Sequence, residues 1–467
     1  MAARRSPATA TAESGPEDRS RAGKQRRREV PRSSHATWSP APDRDPVALL
    51  QQQGTQREQD LLPIRHQRML VSPFTYYRGA ALPMAADLAT TPTTHLTAQL
   101  CGDAHLSNFG MFGTPERHLY FDVNDFDETL PGPFEWDVKR LGASLEVAGR
   151  DRGFSARQRR EAIAGAVRAY RTAMATFATM SSIDVWYSHL DVDRLVPRFL
   201  KALDRNKTPA VWKAIETARA HDSMHAFARL AELTDGEPRI ISDPPLIVPL
   251  AELADGTAHE QLLQMVRDMA FSYRQTLQWD KRHLLEQYRL VDVARKVVGV
   301  GSVGTRAWIA LLLDRHSGAP LFLQVKEAQA SVLEPYLRKS AFRNHGHRVV
   351  AGQRLMQAAS DVFLGWQRSN EAGNSRDNYV RQLRDWKGSA EVGNMTPAGM
   401  KLYAEMCGWT LARAHARSGD RVAIAAYLGA GDVFDRAIVE FSRAYADQND
   451  EDYAAMQRAV EDGRLVR

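Results

Sequence analysis

Apolar positions change period along the chain, and each change marks a region. From residue 46 to 100 they recur at helical spacing, through Ala48, Leu49, Leu61, Leu62, Ile64 and Met69. Ser72 and Pro73 open the stretch S-P-F-T-Y-Y-R-G-A-A with a helix start signal. Residues 98–127 switch to short runs. H-L-Y-F-D-V from His118 reads as a strand, and G-T-P-E-R before it as the turn of a hairpin. Helical spacing returns from Trp136 to about Leu290, in D-V-K-R-L-G-A-S-L-E-V-A and again over 162–180 and 262–277. A Pro-rich apolar stretch over 238–249 reads as a loop that interrupts it.

Near Val291 the composition becomes that of strands. K-V-V-G-V-G-S-V-G-T-R-A-W-I-A-L-L-L-D carries Gly299, Gly301 and Gly304; a turn, S-G-A-P, leads into L-F-L-Q-V-K-E-A with Lys326. A helix follows over 347–359, then short strands in D-V-F-L-G-W and N-Y-V-R-Q-L, then helix again from Thr396 with a glycine break at 429–431. The pattern predicts an α+β chain in four parts. A tail covers 1–45; a helical lobe covers 46–290 and holds the 98–127 loops; a β-rich lobe covers 291–385; a helical segment over 386–467 completes the large lobe.

Composition narrows the class. A hydrophobic fraction of 43% and a charged fraction of 25% are those of a soluble globular protein. No run of about 18 apolar residues predicts a membrane span, and no apolar leader follows the first residues. Two cysteines, Cys101 and Cys407, make neither a disulfide framework nor a CxxC site, so a reducing cytoplasm is expected. Of the formal charge of +6, most falls in residues 1–45, where ten Lys and Arg face six Asp and Glu. That tail has too little apolar surface to offset its ordering entropy and is expected to be disordered. The rest is nearly neutral, which argues against a nucleic-acid partner.

The chemistry concentrates in C-G-D-A-H-L-S-N, residues 101–108, and in F-D-V-N-D-F-D-E, residues 121–128. Asp103 precedes Asn108 by five residues, the spacing at which a kinase catalytic loop places its base and its metal-binding amide. The acids Asp122, Asp125, Asp127 and Glu128 repel one another unless cations balance them, which a divalent metal does. Gly299, Gly301 and Gly304 lie between strands rather than at the opening of a helix, which suits a flap over ATP better than a dinucleotide-binding turn. Lys326, at the end of an apolar strand, suits the nucleotide phosphates. Three further readings stay open: a nucleotide-binding pseudokinase without catalysis, a nucleotidyl (AMP) transferase, and a hydrolytic metal centre of Asp103, His105, Asp122 and Asp125.

C-G-D-A-H-L-S-N-F-G, N-D-F-D-E-T-L-P-G-P-F-E-W-D-V-K-R-L and L-F-L-Q-V-K-E-A resemble the bacterial family called domain of unknown function 2252, over roughly residues 46–462. That family is grouped with the protein-kinase-like proteins. The loops are also similar to those of aminoglycoside and choline kinases, whose catalytic loop reads H-G-D-x-H-x-x-N; Cys101 stands where those have the leading His. The resemblance implies an ATP-dependent phosphotransferase with Mg²⁺ or Mn²⁺ and a two-lobed kinase-like fold. The motif order is permuted, because the catalytic and metal loops precede the glycine flap. Joining the helix that ends near Arg417 to the loop at Gly102 restores kinase order. Asp103 is then the base, Asn108 a metal ligand, and either Asp122 or Asp125 the second. Gly299, Gly301, Gly304 and Lys326 hold the nucleotide. Asp137 braces the catalytic loop. For Lys326 the following segment offers only Glu334 or, on the next helix, Gln353. Arg78 reads as a brace with a second possible role at the acceptor or a phosphate. The acceptor and the oligomeric state are not legible.

Overall fold

The structure, a computed structural model, describes residues 15–466 except 196–214, 218, 221–222, 254–255, 298, 300, 302, 372–373, 384–385, 387 and 390. It is a mixed α+β fold built as a helical body and a sheet-based body. The helical body is centred on Glu135–Asp151, a helix buried on nearly all sides. A helix without a solvent face must lie inside a packed body. Ala156–Thr179, Pro397–Ser418 and Val433–Glu461 surround it, and their apolar faces form the largest core cluster. Pro397–Ser418 approaches Ala156–Thr179 closely at Gly408, where a Cβ would collide with the Ala166 carbonyl. The two ends of the chain therefore share one core.

The second body is a six-stranded antiparallel sheet, in the order Gly365–Glu371, Asn374–Gln382, Pro320–Glu327, Ala307–Asp314, Tyr288–Lys296, Ile247–Pro249. In register, Lys326 lies opposite Ala307 on one side and Tyr379 on the other. Alternation gives the sheet two unlike faces. Phe322, Gln324 and Lys326 point to the inner face; Leu321, Leu323 and Val325 point to the outer one, where the helix Gly256–Thr276 packs. Two smaller strands, Phe109–Gly113 and Leu119–Val123, form the expected hairpin at the edge of the helical body.

Three expectations are corrected. The boundary at 291 falls too late, because Ile247–Pro249 and Tyr288–Lys296 are strands of the large sheet and Ser223–Leu230 packs on it. The Pro-rich stretch 238–249 is a loop only over 241–246: its first residues complete a small hairpin, Ala231–Thr234 with Glu237–Ile240, and its last three form that edge strand. The tail is not disordered over 16–45; residues 1–14 lie outside the described residues. Pro16–Glu29 is a helix lying on Arg421–Leu428, so close that a Cβ at Gly23 would strike the Ala423 carbonyl. Arg19 pairs with Asp420 at 2.9 Å, and Arg27 donates to the Tyr427 carbonyl at 2.8 Å. Arg44 clamps Asp87 and Asp452 at 2.7 and 2.6 Å. Its arginines dock by hydrogen bonds to a distant helix end, which a hydropathy argument does not weigh. Among the described residues no helix is long and apolar enough to cross a membrane.

Candidate functional site

A cavity of about 150 Å³ lies where the inner face of the sheet meets the loops of the helical body. Asp103, Asn108, Asp125, Gly299, Gly301 and Lys326 all line it. These six come from segments up to about two hundred residues apart, and the fold alone brings them together.

The loop that carries Asp103 is fixed from behind. The backbone N–H groups of Cys101 and Gly102 donate to the Asp137 carboxylate at 2.8 and 3.1 Å, the brace expected of Asp137. Gly102 sits at φ +83°, and a Cβ there would strike the Glu128 carbonyl, so this turn needs glycine. His415, from the helix Pro397–Ser418, meets the same Asp137 at 3.3 Å through Nε2 and the Tyr170 hydroxyl at 2.9 Å through Nδ1. Tyr403 donates to the carbonyls of Leu106 and Phe109 at 2.9 Å. Asn108 Nδ2 donates to the Asp103 carbonyl at 2.7 Å, which leaves Oδ1 as the amide atom suited to a cation.

Asp103 Oδ1 accepts from Arg140 Nε and lies 2.8 Å from Arg140 Nη2, while Oδ2 lies 3.6 Å from His105 Nε2. Burial pushes the Asp103 carboxyl up; Arg140 and Arg78 oppose this without cancelling it. His105 is buried and held neutral, its imidazole pushed well below the usual value first by burial and then by Arg140.

The acidic segment divides. Asp122 faces away from the cavity: both its oxygens lie 2.7 Å from Arg413 Nη2, and one also accepts from the Ala358 N–H at 2.8 Å. Asp125 lines the cavity, with its carboxyl pushed up by burial and then by the neighbouring Asp127. Asp127 supplies the partner that Lys326 lacked in sequence, at 2.5 Å, and accepts from the Tyr379 hydroxyl at 2.6 Å. Burial raises the Asp127 carboxyl, but Lys326 and Tyr379 outweigh it and hold it below the usual range. Glu128 accepts from the Val332 N–H at 2.7 Å, and burial pushes its carboxyl up to about 7. Arg348, from the helix His345–Met356, pins the segment by donating to the carbonyls of Thr129 and Asp127 at 2.8 Å. Neither Glu334 nor Gln353 pairs with Lys326.

The glycine-rich connection joins Tyr288–Lys296 to Ala307–Asp314 as a hairpin loop. Gly299 and Gly301 reach the cavity. Gly304, at φ +86°, lies outside it against Arg57, whose Nη2 donates to the Gly301 carbonyl at 2.9 Å. A Cβ on Gly301 would come 3.4 Å from the Arg78 carbonyl, so the loop rests beside Arg78. Arg78 lines the cavity, where burial lowers its guanidinium and the Asp103 charge opposes this in part, and its Nε is buried without a hydrogen bond. Arg140 and Arg381 were not singled out in sequence; Asp127 was named there as one of the clustered acids, without its role as the partner of Lys326.

A model of uncharacterized proteins conserved in bacteria (DUF2252) matches residues 57–459. The chain belongs to this family. No curated protein and no solved structure matches it. The DUF2252 match takes in every residue that lines the cavity except Gln53.

The donor set is chemically coherent. Asn108 and Asp125 offer two hard oxygens, a set that suits Mg²⁺ when phosphates and water complete the shell. A hydrolytic centre needs more protein ligands. Among the described residues no three His, Cys, Asp or Glu side chains group as a metal cluster, and Asp122 is committed to Arg413.

Proposed function

We propose that the protein is an ATP-dependent phosphotransferase, with a permuted kinase-like fold, acting on a hydroxyl acceptor. The observation that carries this reading is the meeting of Asp103, Asn108, Asp125 and Lys326 in one cavity under the Gly299–Gly301 loop. A further support for the permuted order is local. The helix Pro397–Ser418 ends against the strand Thr97–Leu100, where the Gln99 N–H donates to Ser418 Oγ at 3.0 Å. The helix end that would precede the catalytic loop in kinase order therefore abuts the strand that leads into that loop.

In this reading the glycine loop covers the phosphates with backbone N–H groups, and Lys326, held by Asp127, presents its ammonium to them. Asn108 and Asp125 would hold Mg²⁺, which when bound offsets phosphate charge. Asp103 Oδ2 accepts the proton of the acceptor hydroxyl as its oxygen bonds to the terminal phosphorus. The bond from that phosphorus to the bridging oxygen breaks, and ADP leaves. Arg78, the cation beside Asp103 and the glycine loop, is suited to the terminal phosphate by its five N–H donors.

A second reading, nucleotide binding without transfer, is favoured by the Arg140 pair, which occupies one oxygen of Asp103. Labelled ATP separates the possibilities. Incubated with a pool of bacterial metabolites and proteins, the enzyme should transfer label from [γ-³²P]ATP and none from [α-³²P]ATP, and Asp103→Asn should stop transfer while sparing ATP binding. Transfer of α-label would mean an AMP transferase. Binding with no transfer of either label would leave the non-catalytic reading.

A further inference from the structure

A second cavity, of about 430 Å³, lies on the opposite face of the same sheet, under the helix Gly256–Thr276. Val325 and Val380 line it, whereas their chain neighbours Lys326 and Arg381 line the acidic cavity. The two cavities therefore lie back to back across two strands, and the second has no part in the reaction proposed at Asp103.

Its lining changes along its length. Met265, Val266 and Met269 of the helix stand over Val293, Trp308 and Ala310 of the sheet, so one end is hydrocarbon. The other end is charged, lined by Arg274, Arg315 and Glu286. Arg274 pairs with Glu286 at 2.9 Å, and Arg315 Nε donates to the Glu286 backbone carbonyl at 3.2 Å. Among the described residues no carboxylate pairs with Arg315. The neighbouring Asp314 is taken up by its own turn, where it accepts from the N–H groups of His316 and Ser317. Two arginines therefore share one carboxylate, and this end carries surplus positive charge. It is also wet, since Arg274 and Glu286 are 42% and 37% exposed. Met265 and Arg274 lie about 14 Å apart along the helix axis, at about 1.5 Å per residue.

We propose that this cavity binds a single aliphatic chain ending in a carboxylate, with the chain under the helix and the head at Arg274 and Arg315. The volume falls in the range of small-molecule sites, which are mostly apolar with a few placed polar groups. A long, apolar space with charge at one end fits an extended chain better than a compact ring. Methionine side chains adapt to the bends of such a chain. At the head, an arginine offers two parallel N–H donors that match a carboxylate. That head stays at the exposed end, so its charge keeps water and is not buried in hydrocarbon. A cationic head meets like charge there, and a neutral one leaves the surplus unbalanced.

The test uses the full chain and dodecyl probes kept below their micelle concentrations, titrated by calorimetry. Dodecanoate should bind once per chain, at least about tenfold tighter than dodecanol, because hydrogen bonds to a charged group are the stronger ones. Decanoate, shorter by two methylenes, should bind about tenfold more weakly than dodecanoate. Dodecyltrimethylammonium should bind more weakly than either dodecyl probe. Arg274→Gln combined with Arg315→Gln should bring dodecanoate down to the level of dodecanol and leave dodecanol unchanged. Ala310→Trp, which fills the cavity from the sheet, should abolish binding of all probes. Should it fail to fold, Val266→Trp fills the same space from the helix and carries the same expectation. The proposal is overturned if the wild type does not bind dodecanoate, if the ammonium binds as tightly, or if affinity ignores chain length. It is equally overturned if the carboxylate preference survives the double substitution or if the filled variant binds like wild type. Sedimentation with phosphatidylglycerol vesicles, without binding of monomeric dodecanoate, would make this face a membrane surface and overturn it too. None of these results depends on ATP binding, so they leave the phosphotransferase reading to its own test.

Discussion

Two ion pairs drawn from one acidic segment have opposite surroundings. Asp122 and Arg413 are each 1% exposed and sealed between the hairpin and the helix Pro397–Ser418. Asp127 and Lys326, five residues further along the segment, meet with Asp127 27% exposed and Lys326 3%, at the wall of the cavity. The first pair has only protein around it and can do nothing but hold the hairpin on that helix. The second holds a lysine in place beside open space. Chemistry in this segment thus follows access rather than residue type. The N-terminal clamp belongs with the first kind, since Arg44, Asp87 and Asp452 are 5–8% exposed.

That contrast can be broken by removing partners. Deleting residues 1–45 strips Arg44 from two buried carboxylates and removes a docked helix. Losing one partner of a buried pair costs about 3–5 kcal/mol, so the deletion should lower unfolding stability by at least about 5 kcal/mol. Urea denaturation measures it; unchanged stability would mean that the segment does not dock. Asp122→Asn should cost about 3–5 kcal/mol by leaving Arg413 buried and underpaired. Asp127→Asn should cost less, about 1–2 kcal/mol, because water from the cavity reaches the site and an amide still accepts from Tyr379. Equal losses from the two substitutions would end the distinction between a sealed and an accessible pair.

A smaller effect appears in pH dependence. Burial raises the Glu128 carboxyl to about 7 in the folded protein, above its ordinary value of 4.5. The folded state thus binds the Glu128 proton more tightly than the unfolded chain does. That contribution is complete below about pH 4.5 and is lost as pH rises through about 7. Glu128→Gln mimics the protonated form and should not lose it. Between pH 5 and 8 the melting temperature of wild type should fall relative to that of the variant. A rise instead would show that Glu128 is ionised and stabilised in the fold.

What sequence made legible was local. The Asp103-to-Asn108 spacing, the hairpin after it, the glycine loop and the lysine strand each lie within a few tens of residues, where turn residues and period act directly. The mixed α+β class followed from the same signals. Long-range decisions were not legible. Lys326 finds Asp127 at a separation of 199 residues, so a search along the next helix could not succeed. Asp122 and Asp125 occupy similar local sequence, and Arg413, from the other end of the chain, decides which of them faces the cavity. The tail's docking depends on hydrogen bonds to the end of a helix some four hundred residues away.

The most direct test of the central claim is calorimetric titration of ATP with Mg²⁺ into folded wild type and into Asp125→Asn, Lys326→Met and Arg78→Gln. Wild type should bind one ATP per chain, and the first two variants should lose most of the affinity. Arg78→Gln should weaken ATP about tenfold, roughly 1.4 kcal/mol, while leaving ADP unchanged, because the proposed site gives Arg78 the terminal phosphate alone. No heat with wild type, or equal affinity in wild type, Asp125→Asn and Lys326→Met, would contradict the assignment of this cavity to a nucleotide and its metal.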